Sequence, residues 1–218
     1  EVEKTGKTEA GVPIFDSAEA ISQSLEPEDV KGVSIHPIGQ LHESFIIAQD
    51  EEGLLLIDQH VAHERILFDE FRRKEDEKQI RSQNLLVPET IDLTPAQSEI
   101  FSEVKGELEA AGFGVRELSG RTVAIQSVPS GLPSMDIRNL LAELLDAADR
   151  SKRTGVRATF RDEIAASLAC KAAVKINMKL TDEKMAWMVE RLFTTSSPTT
   201  CPHGRPVILR LPMNDIER

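Results

Sequence analysis

Residues 54–74 read LLLIDQHVAHERILFDEFRRK, an apolar run that passes directly into a segment with helical spacing. Residues 54–57 are apolar at every position, which is typical of a strand buried on both faces at the centre of a sheet. From His60 onward, apolar side chains return every three or four residues, and this period predicts an α-helix to about Lys74. The stretch therefore predicts a central strand followed by a helix, with Asp58 at the junction.

Two more strands are predicted before this stretch. Residues 33–38 and 44–49 have strand-like patterns, and DEEG at 50–53 provides a turn into the central strand. Residues 1–30 are rich in Glu, Lys, Thr, Gly and Ser and lack apolar periodicity. We therefore predict that 1–30 is a disordered linker.

The middle of the chain has the pattern of a small α+β lobe. TPAQ at 94–97 is a capping box with proline at the first helical position, so a helix is expected to follow it. Residues 115–118 and 122–125 form a predicted hairpin, and a second helix is expected over 137–148. This region is therefore predicted to form the outer lobe of the fold.

The last part of the chain adds two helices, over 161–178 and 181–193, then the loop CPHGRP at 201–206 and a final strand at 207–211. The predicted fold class is α+β with two lobes, in which the outer lobe is inserted into an inner lobe of helices and a mixed sheet. The predicted bounds are 31–84 with 159–218 for the inner lobe and 85–158 for the outer lobe.

The composition restricts the functional classes. The formal net charge is -11, with Asp+Glu 37 against Lys+Arg 26, so the chain lacks the basic surface of a protein that binds DNA strongly by itself. No apolar run approaches the ~18 residues of a membrane span, and no signal segment is seen, so we expect no membrane association. Two cysteines are too few for a typical secreted disulfide scaffold, which favours a cytoplasmic protein with free thiols.

Asp58, His60 and Glu64 are the first residues that could carry chemistry. The apolar strand brings Asp58 to its C-terminal end, where open α/β layers commonly place their sites. His60 and Glu64 are four residues apart on the predicted helix, so they share nearly one face, with Cβ atoms ~5–6 Å apart. An imidazole and a carboxylate at this spacing can share a metal ion, although such a pair alone is more often a solvated helix face.

The loop that contains Cys201 and His203 is the second candidate. A thiol and an imidazole two residues apart, on a loop stiffened by Pro and bent at Gly204, can face one ion; the alternative is an ordinary turn. Cys170 lies in an Ala-rich helix, where a lone cysteine is most often a small buried side chain. A disulfide between Cys170 and Cys201 is a further alternative, disfavoured in a reducing cytoplasm.

Taken together, three motifs resemble those of the MutL C-terminal endonuclease domains. DQHVAHE at 58–64, followed by Asp69, is similar to the family's D-Q-H-A-x-x-E-x-x-x-x-E motif. ACK at 169–171 is similar to its A-C-[RK] element, and CPHGRP at 201–206 matches the third element letter for letter. The motifs occur in the family's order, and the resemblance covers about 31–215.

Two positions depart from the family pattern. Val61 replaces the usual Ala, which adds only a little volume. Asp69 stands where the motif ends in Glu, with Glu70 beside it, so the role of the last carboxylate is open. Arg65 and Arg205 flank the predicted site, where each could contact a phosphate, but a structural salt bridge is the favoured role for both.

The resemblance implies a shared metal site in this chain. The implied ligands are His60, Glu64, Cys170, Cys201 and His203. The Cys and His ligands suit a bound Zn²⁺, and the additional carboxylates favour Mn²⁺ or Mg²⁺ as a second ion for nicking. Asp58, His60 and Glu64 would be catalytic, and Asp58 would either hold the second ion or orient the attacking water.

The implied function is metal-dependent nicking of DNA in mismatch repair, combined with homodimerisation. The alternative is a non-catalytic module that dimerises, binds a sliding clamp and holds a structural zinc; Asp58 and Glu64 argue against it, since a structural Cys/His zinc needs no carboxylates. An unrelated zinc hydrolase finds no support, because the sequence has no H-E-x-x-H element.

A fourth motif bears on partners. QNLLVP at 83–88 reads Q-x-L-x-x-P and resembles the clamp-binding peptide of bacterial MutL proteins, with Gln83, Leu85 and Pro88 as its defining residues. The other interpretation is an edge segment that joins the two lobes. The partners implied are a second copy of the chain, double-stranded DNA held weakly, the polymerase sliding clamp that would deliver the domain to DNA, and the MutS protein through the full-length protein.

Overall fold

The computed structural model describes residues 35–132, 136–154, 160–175 and 177–217. The chain divides into two compact units, the first comprising the described residues of Glu1–Asp69 and Ala172–Arg218, the second Glu70–Lys171. Both units contain strands and helices, which confirms the α+β class. The linker predicted for 1–30 lies outside the described residues.

The elements follow one another in the order predicted, with an additional strand over the QNLLVP segment and a short terminal helix. In chain order they are β1 (His36–Leu41), β2 (Phe45–Asp50), β3 (Gly53–Asp58), α1 (Gln59–Asp76), β4 (Ser82–Asp92), α2 (Pro95–Ala110), β5 (Gly114–Ser119), β6 (Thr122–Pro129), α3 (Ile137–Thr154), α4 (Phe160–Ala172), α5 (Asp182–Phe193), β7 (Ile208–Pro212) and α6 (Met213–Ile216).

The first unit contains a four-stranded sheet in the order β1-β2-β3-β7. The apolar strand β3 lies between two neighbours, as its sequence predicts. We expected a mixed sheet, and this detail is wrong, because all three strand pairs are antiparallel. Short turns join β1 to β2 and β2 to β3, and a short turn can only connect antiparallel strands.

Alternate residues of this sheet build the core of the first unit. Ile46, Leu55 and Ile57 are fully buried, and they belong to one apolar cluster with Val61 of α1 and Met188 of α5. The position of α1 follows from this burial, since its first turns supply the apolar side chains that cover the sheet.

The second unit has a three-stranded antiparallel sheet in the order β4-β6-β5, with α2, α3 and α4. The predicted capping box is confirmed: Thr94 Oγ1 accepts from Gln97 N at 3.2 Å, and Thr94 N donates to the Gln97 side chain at 3.0 Å. The hairpin predicted from the middle of the chain is β5–β6.

The division between the units differs from the lobe boundaries expected at 84/85 and 158/159. It falls inside α1, after Asp69, and again after Lys171. The reason is packing, because Phe71 of α1 and both Ile164 and Leu168 of α4 belong to the core of the second unit.

The helix predicted over 161–178 ends earlier, at Ala172. Beyond it, the backbone of Val174 is hydrogen-bonded to two histidine side chains, His60 and His63, which replaces helical hydrogen bonding at that point. Among the described helices, none combines the length and apolar character needed to cross a bilayer.

Candidate metal centre

Residues 201–205 form a tight turn, and this turn orients the Cys201 sulfur. Cys201 N donates to Arg205 O at 2.9 Å, and Gly204 N donates to Cys201 O at 2.9 Å. Gly204 has a φ of 79°, in the left-handed region that glycine adopts without a steric cost. Arg205 N also donates to Cys201 Sγ at 3.3 Å, so the turn fixes the direction of the sulfur.

This turn meets α1 at a group of three potential metal ligands. One ligand atom each from Glu64, Cys201 and His203 lies within 4.8 Å of the other two. Glu64 and Cys201 are 1% and 3% exposed, whereas the side chain of His203 is 46% exposed. The group is therefore buried on the side of Glu64 and Cys201 and open to solvent at His203.

The electrostatics of the group favour a cation. His203 Nδ1 lies 2.7 Å from Glu64 Oε1. Hydrogen bonds to the Cys201 sulfur and to the Glu64 carboxylate raise the pKa of His203 to about 10. A buried carboxylate and a sulfur thus surround one positive charge, and sulfur, nitrogen and oxygen together form a donor set that suits Zn²⁺.

Asp58 lies at the junction of β3 and α1, where it caps the helix. Its Oδ1 accepts from His60 N at 2.9 Å and from Val61 N at 3.0 Å. The side chain is 1% exposed. Asp58 therefore has a structural function in this fold, as the cap of α1.

His60 and His63 bind the same residue from one turn of α1. His60 Nδ1 lies 3.0 Å from Val174 O, and Val174 N donates to His63 Nδ1 at 3.1 Å. Because a carbonyl only accepts, His60 carries its proton on Nδ1, and in the neutral ring Nε2 keeps the lone pair that a metal would use. Burial, and then the nearby His60, lower the pKa of His63 to about 3, so the His63 ring is neutral.

Not all of the predicted ligands are brought together. Among the described residues, the 4.8 Å group consists of Glu64, Cys201 and His203, without His60. Cys170 lies near the end of α4 in the second unit, where it is exposed and forms no disulfide. The roles of His60 and Cys170 as ligands stay predictions.

Comparison with known proteins identifies the family to which the chain belongs. A sequence model described as the MutL C terminal dimerisation domain matches residues 38–180. The chain belongs to the MutL C-terminal domain family. It is 42% identical over 194 residues to the DNA mismatch repair protein MutL of Koribacter versatilis, which covers 89% of this chain and 30% of that protein. It is 38% identical over 214 residues to the MutL of Symbiobacterium thermophilum, covering 96% and 34%, respectively. The chain thus spans about a third of the length of the curated relatives it matches.

Asp69, which departs from the MutL motif, binds the loop after α5 instead of the three-ligand group. Its Oδ2 accepts from Ser196 N at 2.5 Å, and its Oδ1 lies 2.8 Å from Arg65 Nη2. The salt bridge expected for Arg65 is confirmed. Arg205 is exposed, and its role stays a prediction.

The glutamine of the MutL motif has a structural role that the sequence did not reveal. Gln59 is fully buried. Its side-chain nitrogen donates to Glu43 O at 2.7 Å and to Met178 O at 3.2 Å, and its oxygen accepts from the Gln40 side chain at 2.5 Å. The sequence offered one signal of this role: a polar residue directly after a strand predicted to be buried. A polar side chain that is buried at such a position must find hydrogen-bond partners.

The segment that resembles the MutL clamp-binding peptide lies on β4, at the edge of the second unit's sheet. The pairing of β4 with β6 is interrupted between Asn84 and Glu89. Within this gap, Leu86 and Val87 are 105% and 74% exposed, whereas Leu85 packs partly against the core of that unit. The segment is thus an edge strand within the second unit and does not join the two units, and the gap exposes two apolar side chains.

Proposed function

We propose that the chain is a metal-dependent DNA-nicking domain of mismatch repair that also dimerises. The observation that carries the nicking proposal is the convergence of Glu64, Cys201 and His203 from two elements far apart in sequence. A turn that merely reverses the chain does not require a buried carboxylate opposite its cysteine, because burying a charge without a partner is costly.

The donor set fits a metal ion. Cys201 and His203 are the soft and borderline ligands of a zinc site, and Glu64 adds a hard oxygen that Mn²⁺ or Mg²⁺ also accepts. His60 would add its Nε2, and Cys170 a second sulfur. When bound, the metal would stabilise the charge on the phosphodiester oxygens.

The residues of the chain prepare this site before any metal binds. The backbone donor of Arg205 orients the Cys201 sulfur, and the carbonyl of Val174 fixes the His60 ring. Asp58 anchors the first turn of α1, which carries His60, so it sets where that turn begins. The proposed catalytic residues remain Asp58, His60 and Glu64, with Asp58 as a ligand of the second ion or as the group that orients water.

Nicking of supercoiled plasmid in the presence of Mn²⁺ tests this proposal. We expect Asp58→Asn to lower the nicking rate by at least about 10²-fold, the lower range for loss of a group that handles a proton in the transition state. Asparagine caps a helix about as well as aspartate, so the fold is retained. The matched control is Asp182→Asn, which removes an exposed carboxylate at the start of α5 and should nick like the parent.

The alternative is a dimerisation module with a purely structural zinc. It is favoured by the capping of α1 by Asp58, since this accounts for the aspartate without catalysis. If the parent retains zinc and shows no nicking, with or without a loaded sliding clamp, the structural alternative replaces the catalytic one.

Dimerisation has a candidate surface on the four-stranded sheet. Opposite the core, next to the exposed Gln49, the sheet carries apolar residues that pair in register across β2, β3 and β7. These outer-face residues are Ile47, Leu54, Leu56, Leu209 and Leu211. None is buried, and Leu211 is 45% exposed, so the face is uncovered in the single chain. Because the family is that of a dimerisation domain, we propose a second copy of the chain as the occupant.

Sedimentation velocity at several concentrations tests the surface. We expect Leu211→Asp to shift the dimer to monomer, since it places a charge in an apolar interface. Leu118→Asp is the control, because Leu118 is a comparably exposed leucine, 52%, on β5. An unchanged dimer in Leu211→Asp would exclude this face.

The exposed side chains in the β4 gap support a sliding clamp as a further partner. An apolar groove could accept Leu86 and Val87, with Gln83, Leu85 and Pro88 as the remaining motif positions. Clamp tethering would raise the local concentration of a chain whose charge of -11 opposes binding to double-stranded DNA. MutS would act through the full-length protein.

The clamp proposal predicts that replacing both Leu86 and Val87 with Ser weakens binding to purified clamp by at least about tenfold. A tenfold weaker affinity corresponds to about 1.4 kcal/mol, which is the free energy of burying a small apolar area. Leu118→Ser is the control. If the double variant and Leu118→Ser bind the clamp equally well, this segment is not the clamp-binding site.

A further inference from the structure

The loop 194–200 connects α5 to the turn that carries Cys201 and His203. At its start, Thr195 N donates to Leu192 O at 3.0 Å at the end of α5. At its end, Val207 N donates to Thr199 O at 2.9 Å. Between these two anchors, Ser196 is hydrogen-bonded to side chains of α1.

The contact to α1 consists of two charged side chains. Asp69 accepts from both the backbone and the hydroxyl of Ser196, at 2.5 and 3.2 Å, and Arg65 donates to the same hydroxyl. Arg65 and Asp69 are themselves paired at 2.8 Å, with side-chain exposures of 9% and 23%. The guanidinium also lies over the Phe68 ring, 5.1 Å from its centre.

This arrangement restrains the two halves of the candidate metal centre relative to each other. Arg65 directly follows Glu64 on α1, so the helix that supplies the buried carboxylate also holds the loop that leads to the cysteine. A charge-assisted hydrogen bond to a backbone N–H fixes a loop more firmly than a neutral one, and the partial burial of the pair limits screening by solvent.

We propose that Asp69, together with Arg65, is a positioning pair that holds the loop 194–200 on α1 and so keeps Cys201 and His203 opposite Glu64. This inference rests on the proposed metal site and assigns a role to the last carboxylate of the motif. Asp69 is a positioning residue and does not bind the metal.

Two readouts separate positioning from general stability. The first is the rate at which iodoacetamide alkylates Cys201 in the metal-free domain, followed by mass spectrometry of the Cys201 peptide. Cys201 is 3% exposed, so alkylation requires the loop to move. The second is the affinity for Co²⁺, followed by the sulfur-to-cobalt charge-transfer band, which reports ligation by cysteine.

Two variants of different severity and two comparison variants are needed. Asp69→Ala removes both hydrogen bonds from Ser196 to the carboxylate and leaves Arg65 without its ion-pair partner. Ser196→Ala removes only the hydroxyl and keeps the ion pair and the bond from Ser196 N. Asp69→Glu is the conservative variant. Glu70→Ala is the matched control, because Glu70 is the adjacent carboxylate and pairs with Lys74 at 2.8 Å.

We expect Asp69→Ala to accelerate alkylation of Cys201 and to weaken Co²⁺ binding, each by at least about tenfold. Tenfold is the lower end of the loss in metal affinity when a residue that supports a metal ligand is replaced. Ser196→Ala should shift both quantities in the same direction by a smaller factor. Asp69→Glu should recover most of both, and Glu70→Ala should behave like the parent.

The proposal is overturned if Asp69→Ala leaves both quantities at parent values, or if Glu70→Ala changes them equally. A loss of melting temperature without a change in alkylation would assign the pair to stability alone. If the parent binds no Co²⁺, the metal-site proposal fails, and the alkylation rates of the metal-free domain still decide whether Asp69 holds the loop.

Discussion

The pair of Asp50 and Arg210 allows the strongest quantitative prediction for the first unit. Arg210 Nη1 and Nη2 donate to Asp50 Oδ1 and Oδ2 at 2.9 and 2.5 Å, which is a bidentate ion pair. The two side chains are 8% and 0% exposed. Asp50 Oδ1 also accepts from the backbone of Glu52 and Gly53, so the pair links β7 to the turn between β2 and β3.

Removing the charge of Asp50 should therefore be costly. Breaking a buried ion pair by changing one partner costs about 3–5 kcal/mol. Glu52 reduces this effect, since its carboxylate lies 2.9 Å from Arg210 and is 64% exposed. We expect Asp50→Asn to lower the free energy of unfolding by about 3 kcal/mol, roughly a hundredfold in the equilibrium constant.

Urea denaturation at fixed protein concentration measures this loss. Trp187 is the single tryptophan of the chain and packs partly against the core of the first unit, so its fluorescence reports on the unit that contains the pair. The control is Glu52→Gln, whose exposed contact should contribute less than about 1 kcal/mol. Equal losses in the two variants, or a loss below about 1 kcal/mol in Asp50→Asn, would refute the reasoning.

The same pair predicts a dependence on pH. Burial by itself would raise the pKa of Asp50, but the hydrogen bond from Arg210, with the backbone donors, lowers the pKa overall from 3.8. A lowered folded-state pKa means that the stabilisation is present above pH 3.8 and is lost as the pH falls through the lower folded value. Asp50→Asn should therefore lack this acid-dependent loss.

Four further substitutions, at three positions, follow from local geometry. Gly53→Ala should destabilise the first unit by about 2 kcal/mol or more in the same assay, because the added Cβ would lie 2.2 Å from Leu211 O. Thr94→Ala should cost about 1 kcal/mol through loss of the α2 capping box, measured as the free energy of unfolding by far-UV circular dichroism. Asp58→Ala should cost about 1 kcal/mol and Asp58→Asn much less, since only asparagine preserves the cap of α1; equal thermal stability of the two would contradict the capping role.

Sequence patterns predicted the elements better than their ends. The apolar run of β3 and the capping box at Thr94 are local signals, because each depends on residues within one element. The end of α4 at Ala172 was missed, since it depends on hydrogen bonds between Val174 and two histidines more than a hundred residues away. Whether Phe71 packs against one core or the other is likewise decided by packing between elements.

The candidate site shows the same division between local and distant information. The resemblance to the MutL motifs implied that Glu64 lies near Cys201 and His203, and the structure brings these three residues together. The spacing did not predict that Asp69 binds Ser196, because residue type alone cannot separate a carboxylate that holds a loop from one that binds an ion.

The DQH motif has a structural role in the fold, and this determines how mutations in it should be interpreted. Asp58 caps α1, Gln59 donates to the backbone carbonyls of Glu43 and Met178, and His63 accepts from Val174 N, each independently of a metal. Loss of activity on replacing any of them with alanine would therefore not establish a catalytic role, because the buried groups left unpaired would distort the first turns of α1. Variants that keep the structural hydrogen bond and remove only the charge, such as Asp58→Asn, separate the structural role from the proposed catalytic one.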